Sequence, residues 1–303
     1  MPAVEIVSVT KTFGEVTAVD DLSLSAPEGS VYGFIGPNGS GKTTTIRMIV
    51  NIFYPDRGQI RVLGEEMSGA RNHLIGYLPE ERGLYRKMQV RALLEFFGEL
   101  RGGRNVGKEV SAWLARLDLE HCANRRVATL SKGMSQRVQF IAAVVPEPKL
   151  LILDEPFTGL DPVSADALRE AILDLRRRGA TVILSTHDMT VAETMCDHIC
   201  MIFRGKKVLD GTLASIQDQY SNDTIRVAVG GGLAVLDDLP GVEKVRDLGQ
   251  VQELRMALGC DPHEVLRALV ERTRVTSFSV AKPSLHDIFV RIAGPAAEEV
   301  EVA

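Results

Sequence analysis

The sequence predicts an α/β protein in two parts, a larger and mainly parallel sheet interleaved with helices, then a smaller α+β domain. Three observations carry this. Short apolar strands alternate with helix-length segments up to residue 218, the pattern of a sheet with helices on its faces. The composition shifts at Tyr220-Ser221-Asn222-Asp223, which divides the chain into residues 1–218 and 219–303. Beyond that point the order is β-α-β-β-α-β, a split βαβ arrangement of ferredoxin-like type.

Each element has a local reason. Val4–Phe13 alternates partly, Ala18–Ala26 carries Leu-Ser-Leu-Ser, and Val31–Ile35 is a short apolar run; all three read as strands. A glycine-rich loop leads into a helix over Thr43–Val50, and Pro55-Asp56-Arg57-Gly58 makes a turn. Residues 83–145 are mostly helical by periodicity. Strand Leu150–Leu153, helix Val163–Arg177, strand Thr181–Ser185 and a hairpin around Arg204-Gly205 follow. In the second part we expect strand 224–229, helix 233–239, strands 242–248 and 251–258, helix 262–272 and strand 275–282. Asp261-Pro262 supplies an N-cap and a proline at the first helical position.

Composition narrows the class. The 303 residues suit about two domains and enough buried surface to fold without disulfides or structural metal. With 35 Lys+Arg against 40 Asp+Glu the net charge is -5, which argues against a dedicated nucleic-acid binder. No apolar run approaches the roughly 18 residues of a membrane span. The N-terminus lacks the basic start and apolar stretch of a signal peptide, so a cytoplasmic protein is expected. Four scattered cysteines suit reduced thiols. Cys196 and Cys200 flank His198 at metal-like spacing, but no second pair completes a ligand set. The second part shows no catalytic cluster, and an accessory or regulatory role is expected there.

Gly36-Pro37-Asn38-Gly39-Ser40-Gly41-Lys42-Thr43, with Thr44 behind it, fits G-x-x-x-x-G-K-[ST] between a strand and a helix. Glycines let backbone N–H groups turn inward around a phosphate, and the helix adds its positive end. Lys42 is placed to reach the β- and γ-phosphates and the Thr43 hydroxyl to ligate Mg²⁺. Leu150-Leu151-Ile152-Leu153-Asp154-Glu155 is a buried strand ending in two carboxylates. Asp154 suits Mg²⁺, and Glu155 suits orienting and deprotonating an attacking water. No Asn-Lys-x-Asp tetrad reads guanine, which weakens a GTPase reading.

Four more segments stand in order around these two: Lys11-Thr12-Phe13-Gly14, Leu130-Ser131-Lys132-Gly133-Met134, Thr158-Gly159-Leu160-Asp161 and Ser185-Thr186-His187. Together the six resemble the nucleotide-binding subunit of an ABC transporter over about residues 1–218. The resemblance implies a P-loop NTPase core with an antiparallel β subdomain and a helical subdomain. It implies that Phe13 stacks on adenine and that Gly36–Thr44 hold the phosphates of ATP. Two copies would meet head to tail, with Ser131, Gly133 and Asp161 facing nucleotide across the dimer. Lys42, Glu155 and His187 would be catalytic, and Thr43, Asp154 and Glu80 would hold Mg²⁺. An integral membrane permease is the implied partner, with the chain peripheral on the cytoplasmic membrane face.

Two departures stand out. Lys132 and Met134 replace the signature's usual Gly and Gln. A cation opposes a helix N-terminus until a phosphate docks there, so Lys132 is expected to tighten an ATP-closed dimer. In Ile75-Gly76-Tyr77-Leu78-Pro79-Glu80 the family usually ends in Gln. A carboxylate facing the γ-phosphate without metal costs about 4 kcal/mol at about 4 Å and an effective dielectric of about 20, so stricter Mg²⁺ dependence is expected. The competing assignment gives that role to Glu81 or Arg82. Pro79–Tyr85 and Pro283-Ser284-Leu285-His286-Asp287-Ile288-Phe289 further resemble the ATP-binding subunits of type-2 exporters, the sodium-extrusion and drug-export group. The alternatives are an ABC ATPase acting on ribosomes or DNA, and an inactive ATP-binding module. A single P-loop, no sustained heptads and no basic patch weigh against the first, and retention of Lys42, Asp154, Glu155 and His187 against the second.

Overall fold

The computed structural model describes residues 1–66, 72–81, 83–103, 105–220, 224–257 and 259–294. Its contacts divide the chain into two compact units, Met1–Leu213 and Ala214–Ala303. Arg82 and the boundary residues 221–223 lie outside the described residues.

The first unit opens with β1 (Pro2–Phe13) and β2 (Val16–Pro27), paired antiparallel. β3 (Val31–Ile35) is buried throughout, as its unbroken apolar run requires. The phosphate loop leads into α1 (Lys42–Ile49), which buries Ile46, Met48 and Ile49. Past the turn the chain forms β4 (Arg57–Val62), β5 (Glu65–Glu66) and β6 (Ile75–Leu78), none of which the sequence patterns had marked. The helical stretch resolves into α2 (Val90–Leu100), α3 (Val106–Arg116) and α4 (Lys132–Val144). The chain then returns through β7 (Leu150–Asp154), α5 (Pro162–Arg177), β8 (Thr181–Thr186), α6 (Met189–Met195), β9 (His198–Phe203) and β10 (Lys206–Gly211). Arg204 and Gly205 both take positive φ, the two-residue reversal that matches strand twist.

These strands form two sheets. One is antiparallel, in the order β2-β1-β4-β5. The other is ordered β10-β9-β3-β8-β7-β6 and is parallel apart from β10 at its edge. Alternate residues of the parallel sheet feed different cores. Tyr32, Phe34, Ile152 and Ile183 pack with α1 and the antiparallel sheet, while Val31, Leu153, Val182 and Leu184 pack beneath the helices. β8 therefore lies between the strand before the phosphate loop and the strand ending in Asp154. Three neighbouring strands open at the same edge, where parallel sheets hold ligands.

The second unit comprises α7 (Leu213–Gln219), β11 (Thr224–Val229), β12 (Val242–Asp247), β13 (Gln252–Met256), α8 (Pro262–Arg272), β14 (Val275–Val280) and α9 (Leu285–Ala293). The sheet order β12-β13-β11-β14, antiparallel throughout, is the split βαβ arrangement. Two local features differ from expectation. The helix expected over 233–239 is a single 3-10 turn, Leu233–Leu236, because Asp238 takes φ 53 and Pro240 follows. α9 was not foreseen; Ser284 and Asp287 start it with a reciprocal capping box.

Candidate active site

The phosphate loop is shaped by glycine where the backbone comes closest to its neighbours. Gly36 and Gly41 have φ 152 and 106, and a Cβ on either would run into the carbonyl of Ile202 or of Ala18. The Lys42 ammonium folds over the loop, 2.6 Å from the Gly36 carbonyl and 3.0 Å from that of Pro37. Burial pushes its pKa down, against the charges of Glu155, Asp154 and Glu80, which pull it up. Buried Ser40 anchors the loop by accepting the N–H of Gly205 at 2.9 Å.

Across β8, the Thr43 hydroxyl donates to Asp154 Oδ2 at 3.0 Å. Asp154 is almost wholly buried, and its Oδ1 has no hydrogen-bond partner among the described residues. Burial raises this carboxyl above the usual carboxylate range, and the Thr43 hydrogen bond pulls the other way. An open pocket of about 400 Å³ gathers Asn38, Gly39, Gly41, Lys42, Thr43 and Thr44 with Glu80, Asp154 and Glu155. A larger hollow of about 540 Å³ lies at the opposite ends of β6, β7 and β8 and contains none of these residues.

Glu155 sits in left-handed backbone at φ 51, which costs a non-glycine residue about 1–2 kcal/mol. Its N–H bonds the Ser185 carbonyl at 3.0 Å, and its Oε1 accepts the His187 N–H at 2.9 Å. The His187 ring Nδ1 is 2.8 Å from the same oxygen, a hydrogen bond when Nδ1 carries the proton. His187 thus faces Glu155 and does not line the pocket.

The remaining expected site residues lie apart from this pocket. Phe13 is 44% exposed and meets Phe53 edge to face at 5.4 Å. Ser131 caps α4, its hydroxyl accepting the Met134 N–H at 3.2 Å. The Lys132 stem lies against Gly159, and Gly133 packs beside Gly159 and Leu160. Asp161 caps α5, binding the Ser164 N–H at 3.0 Å and hydroxyl at 2.6 Å, which holds its carboxyl below the usual range.

Two glutamines on α4 escaped the sequence reading. Gln136 Nε2 donates to Pro156 O at 3.2 Å, behind Glu155. Gln139 Nε2 donates to Pro79 O and Glu81 O, each at 3.2 Å, and so clamps the backbone on both sides of Glu80. Both are buried, one turn apart on one helix face. No motif marks them; a polar pair on the apolar side of a helix was the available signal. Cys196 and Cys200, beside His198, are thiols that burial pushes up to about 12.

Comparison with known proteins decides the family. Residues 19–158 match the ABC transporter family, and residues 211–293 match the C-terminal domain of ATP-binding proteins like DrrA1-3. The uncharacterised ABC transporter ATP-binding protein YhaQ of Bacillus subtilis is 38% identical over 288 residues, 94% of this chain and 97% of that one. The chain belongs to the ABC transporter ATP-binding proteins. The Nod factor export ATP-binding protein I of a Rhizobium species is 35% identical over 300 residues, 96% of this chain and 97% of its own. A solved ATP-binding subunit of an ABC transporter, 30% identical, superposes with TM-score 0.69 over 72% of this chain and 93% of that chain. The chain is accordingly an ABC-type ATPase, the P-loop fold expected from its motifs, and a transporter's ATP-binding subunit. No helix among the described residues is long and apolar enough to cross a membrane.

Proposed function

We propose that this chain is the motor subunit of an exporter: two copies close around two ATP molecules and drive a separate membrane permease from its cytoplasmic face. One observation carries the reading. The loop, Glu80, Asp154 and Glu155 converge on one pocket, while Ser131 and Gly133, at a helix start suited to phosphate, lie outside it. A site split in this way is completed by a second copy.

Within the pocket the loop amides and Lys42 bind the phosphates. Glu155, held by His187, takes the proton of the attacking water, and Gln136 fixes the turn that carries Glu155. The donor set fits Mg²⁺: Thr43 and Asp154 meet at 3.0 Å, Asp154 has a spare buried oxygen, and Glu80 shares the pocket. When bound, Mg²⁺ neutralises charge developing on the phosphates. Phe13 stacks on the adenine base, and Asp161, as the cap of α5, sets the D-loop's path.

Tyr85, Phe96 and Phe97 support the permease partner. Their rings lie within 5.7–6.1 Å of one another, yet Tyr85 is 55% and Phe96 41% exposed. An exposed aromatic cluster just beyond Glu80 suits a docking surface for an apolar helix of the permease. The export direction rests on full-length likeness to the Nod factor export proteins.

Complementation tests the reading. Lys42→Ala and Ser131→Arg chains are each expected to be inactive alone. Mixed, they restore turnover, because one composite site then pairs an intact loop with an intact signature. Wild-type turnover by Ser131→Arg alone, or no recovery on mixing, refutes it.

A further inference from the structure

The second unit carries a cationic pocket that no motif explains, and strand register builds it. Lys244 on β12 lies directly opposite Arg255 on β13, which lies opposite Thr224 on β11. Two residues along, Arg246 faces Glu253, and Glu253 faces Arg226. Paired residues share a sheet face, and the intervening Ile225, Leu254 and Val227 fill the core on the other side. The polar face of these three strands thus bears Lys244, Arg255, Arg246 and Arg226 with Glu253, while Glu243, at the β12 register shift, reaches Arg255. From α9, Arg291 reaches over to donate to the Thr224 hydroxyl at 3.0 Å.

The acids at this place are already engaged. Glu253 pairs with Arg226 at 3.1 Å and Asp287 with Arg246 at 3.1 Å. Among the described residues Arg255 has one ion-pair partner, Glu243, at 3.9 Å and largely in solvent. Lys244 has no ion pair or hydrogen bond among the described residues. Like charges directly opposite on adjacent strands destabilise a sheet, so the Lys244–Arg255 pair is a cost that an anion between them would remove. Lys244, Arg246, Arg255, Arg291 and Thr224 line one hollow of about 100 Å³ together with Val290 and the two paired acids, Glu253 and Asp287. That is room for a phosphate group. Guanidinium forks match phosphate oxygens in paired hydrogen bonds, and an ammonium adds a point charge.

We propose that this pocket binds a phosphate group, presented by an anionic phospholipid headgroup or by a free phosphate. Either source would let the second unit sense an anion independently of the ATP pocket. The test compares the full-length wild type with Lys244→Gln/Arg255→Gln, both with Mg·ADP on the phosphate loop. One arm titrates inorganic phosphate by calorimetry; the other sediments the chains with phosphatidylglycerol–phosphatidylcholine vesicles or with phosphatidylcholine alone. Binding at least tenfold weaker in the double variant is expected in one arm, and that arm identifies the source. In phosphate-free buffer the variant is expected to melt at the same temperature as wild type or higher, since a repulsion is gone, with ATP turnover within twofold. Equal binding by both chains in both arms overturns the proposal. So does a lower melting temperature for the double variant and for Lys244→Gln alone, which would make these cations structural.

Discussion

The two units use polar residues in opposite ways. In the first, Lys42, Gln136, Gln139, Asp154, Glu155, Ser185 and Thr186 are all buried near one edge of the parallel sheet. In the second, Thr224 is the one buried polar residue among those described, and the charges stand on the outer face of its sheet. Burying charge costs several kcal/mol unless something is gained by it. The first unit accepts that cost where phosphate chemistry needs preorganised groups; the second avoids it, as a binding module can. The difference locates the chemistry without reference to any motif.

The largest expected effect tests whether the buried carboxylate does chemistry. Glu155→Gln is expected to cut steady-state ATPase roughly 10²–10⁴-fold, the loss of a general base; unchanged turnover would remove Glu155 from the reaction. Next comes the exposed side of the same unit. Tyr85→Ser/Phe96→Ser should weaken capture by the copurified permease about 10–100-fold, as loss of an aromatic hot spot would. ATPase of the isolated chain should not change.

Gln139→Leu asks whether the helix clamp positions Glu80. It strands two carbonyls at about 1–3 kcal/mol each, so kcat should fall about tenfold and the Mg²⁺ requirement should rise, whereas a structural role alone would lower only the melting temperature. Glu80→Gln is expected to move the Mg²⁺ activation curve a few-fold toward lower concentration. Superimposable curves would place Glu80 away from the metal.

The smallest effect reads the burial cost itself. Burial raises the Asp154 carboxyl, so the folded state binds that proton more tightly than the unfolded chain does. The ionised form therefore destabilises the ligand-free fold above the unfolded value of about 4, and acidification toward the raised value relieves it. Asp154→Asn should raise the ligand-free melting temperature near neutral pH by about 2–4 °C for each kcal/mol relieved, and flatten its pH dependence between about 4 and the raised value.

Much of the first unit could be read from local pattern. The loop glycines, the Leu150–Leu153 strand and the Arg204-Gly205 turn each declare themselves within a few residues, because steric rules act at that range. Gln136 and Gln139 could not be read, since their partners lie 20 and about 60 residues away in sequence. The second unit was legible as strand order, yet the helix expected over 233–239 shrank to a turn, where Asp238 and Pro240 outweigh the apolar pattern.

Sequence alone thus determined that a phosphate loop and a pair of carboxylates exist, because the loop's conformations and the strand's burial depend on residue type and spacing. Only the tertiary structure decided that β8 lies between them and brings Thr43 within 3.0 Å of Asp154, and that His187 holds Glu155. It also decided that Asp161 caps a helix and that Lys244 stands opposite Arg255. Strand order and register arise from packing distant segments together, and no local rule specifies which segments those will be.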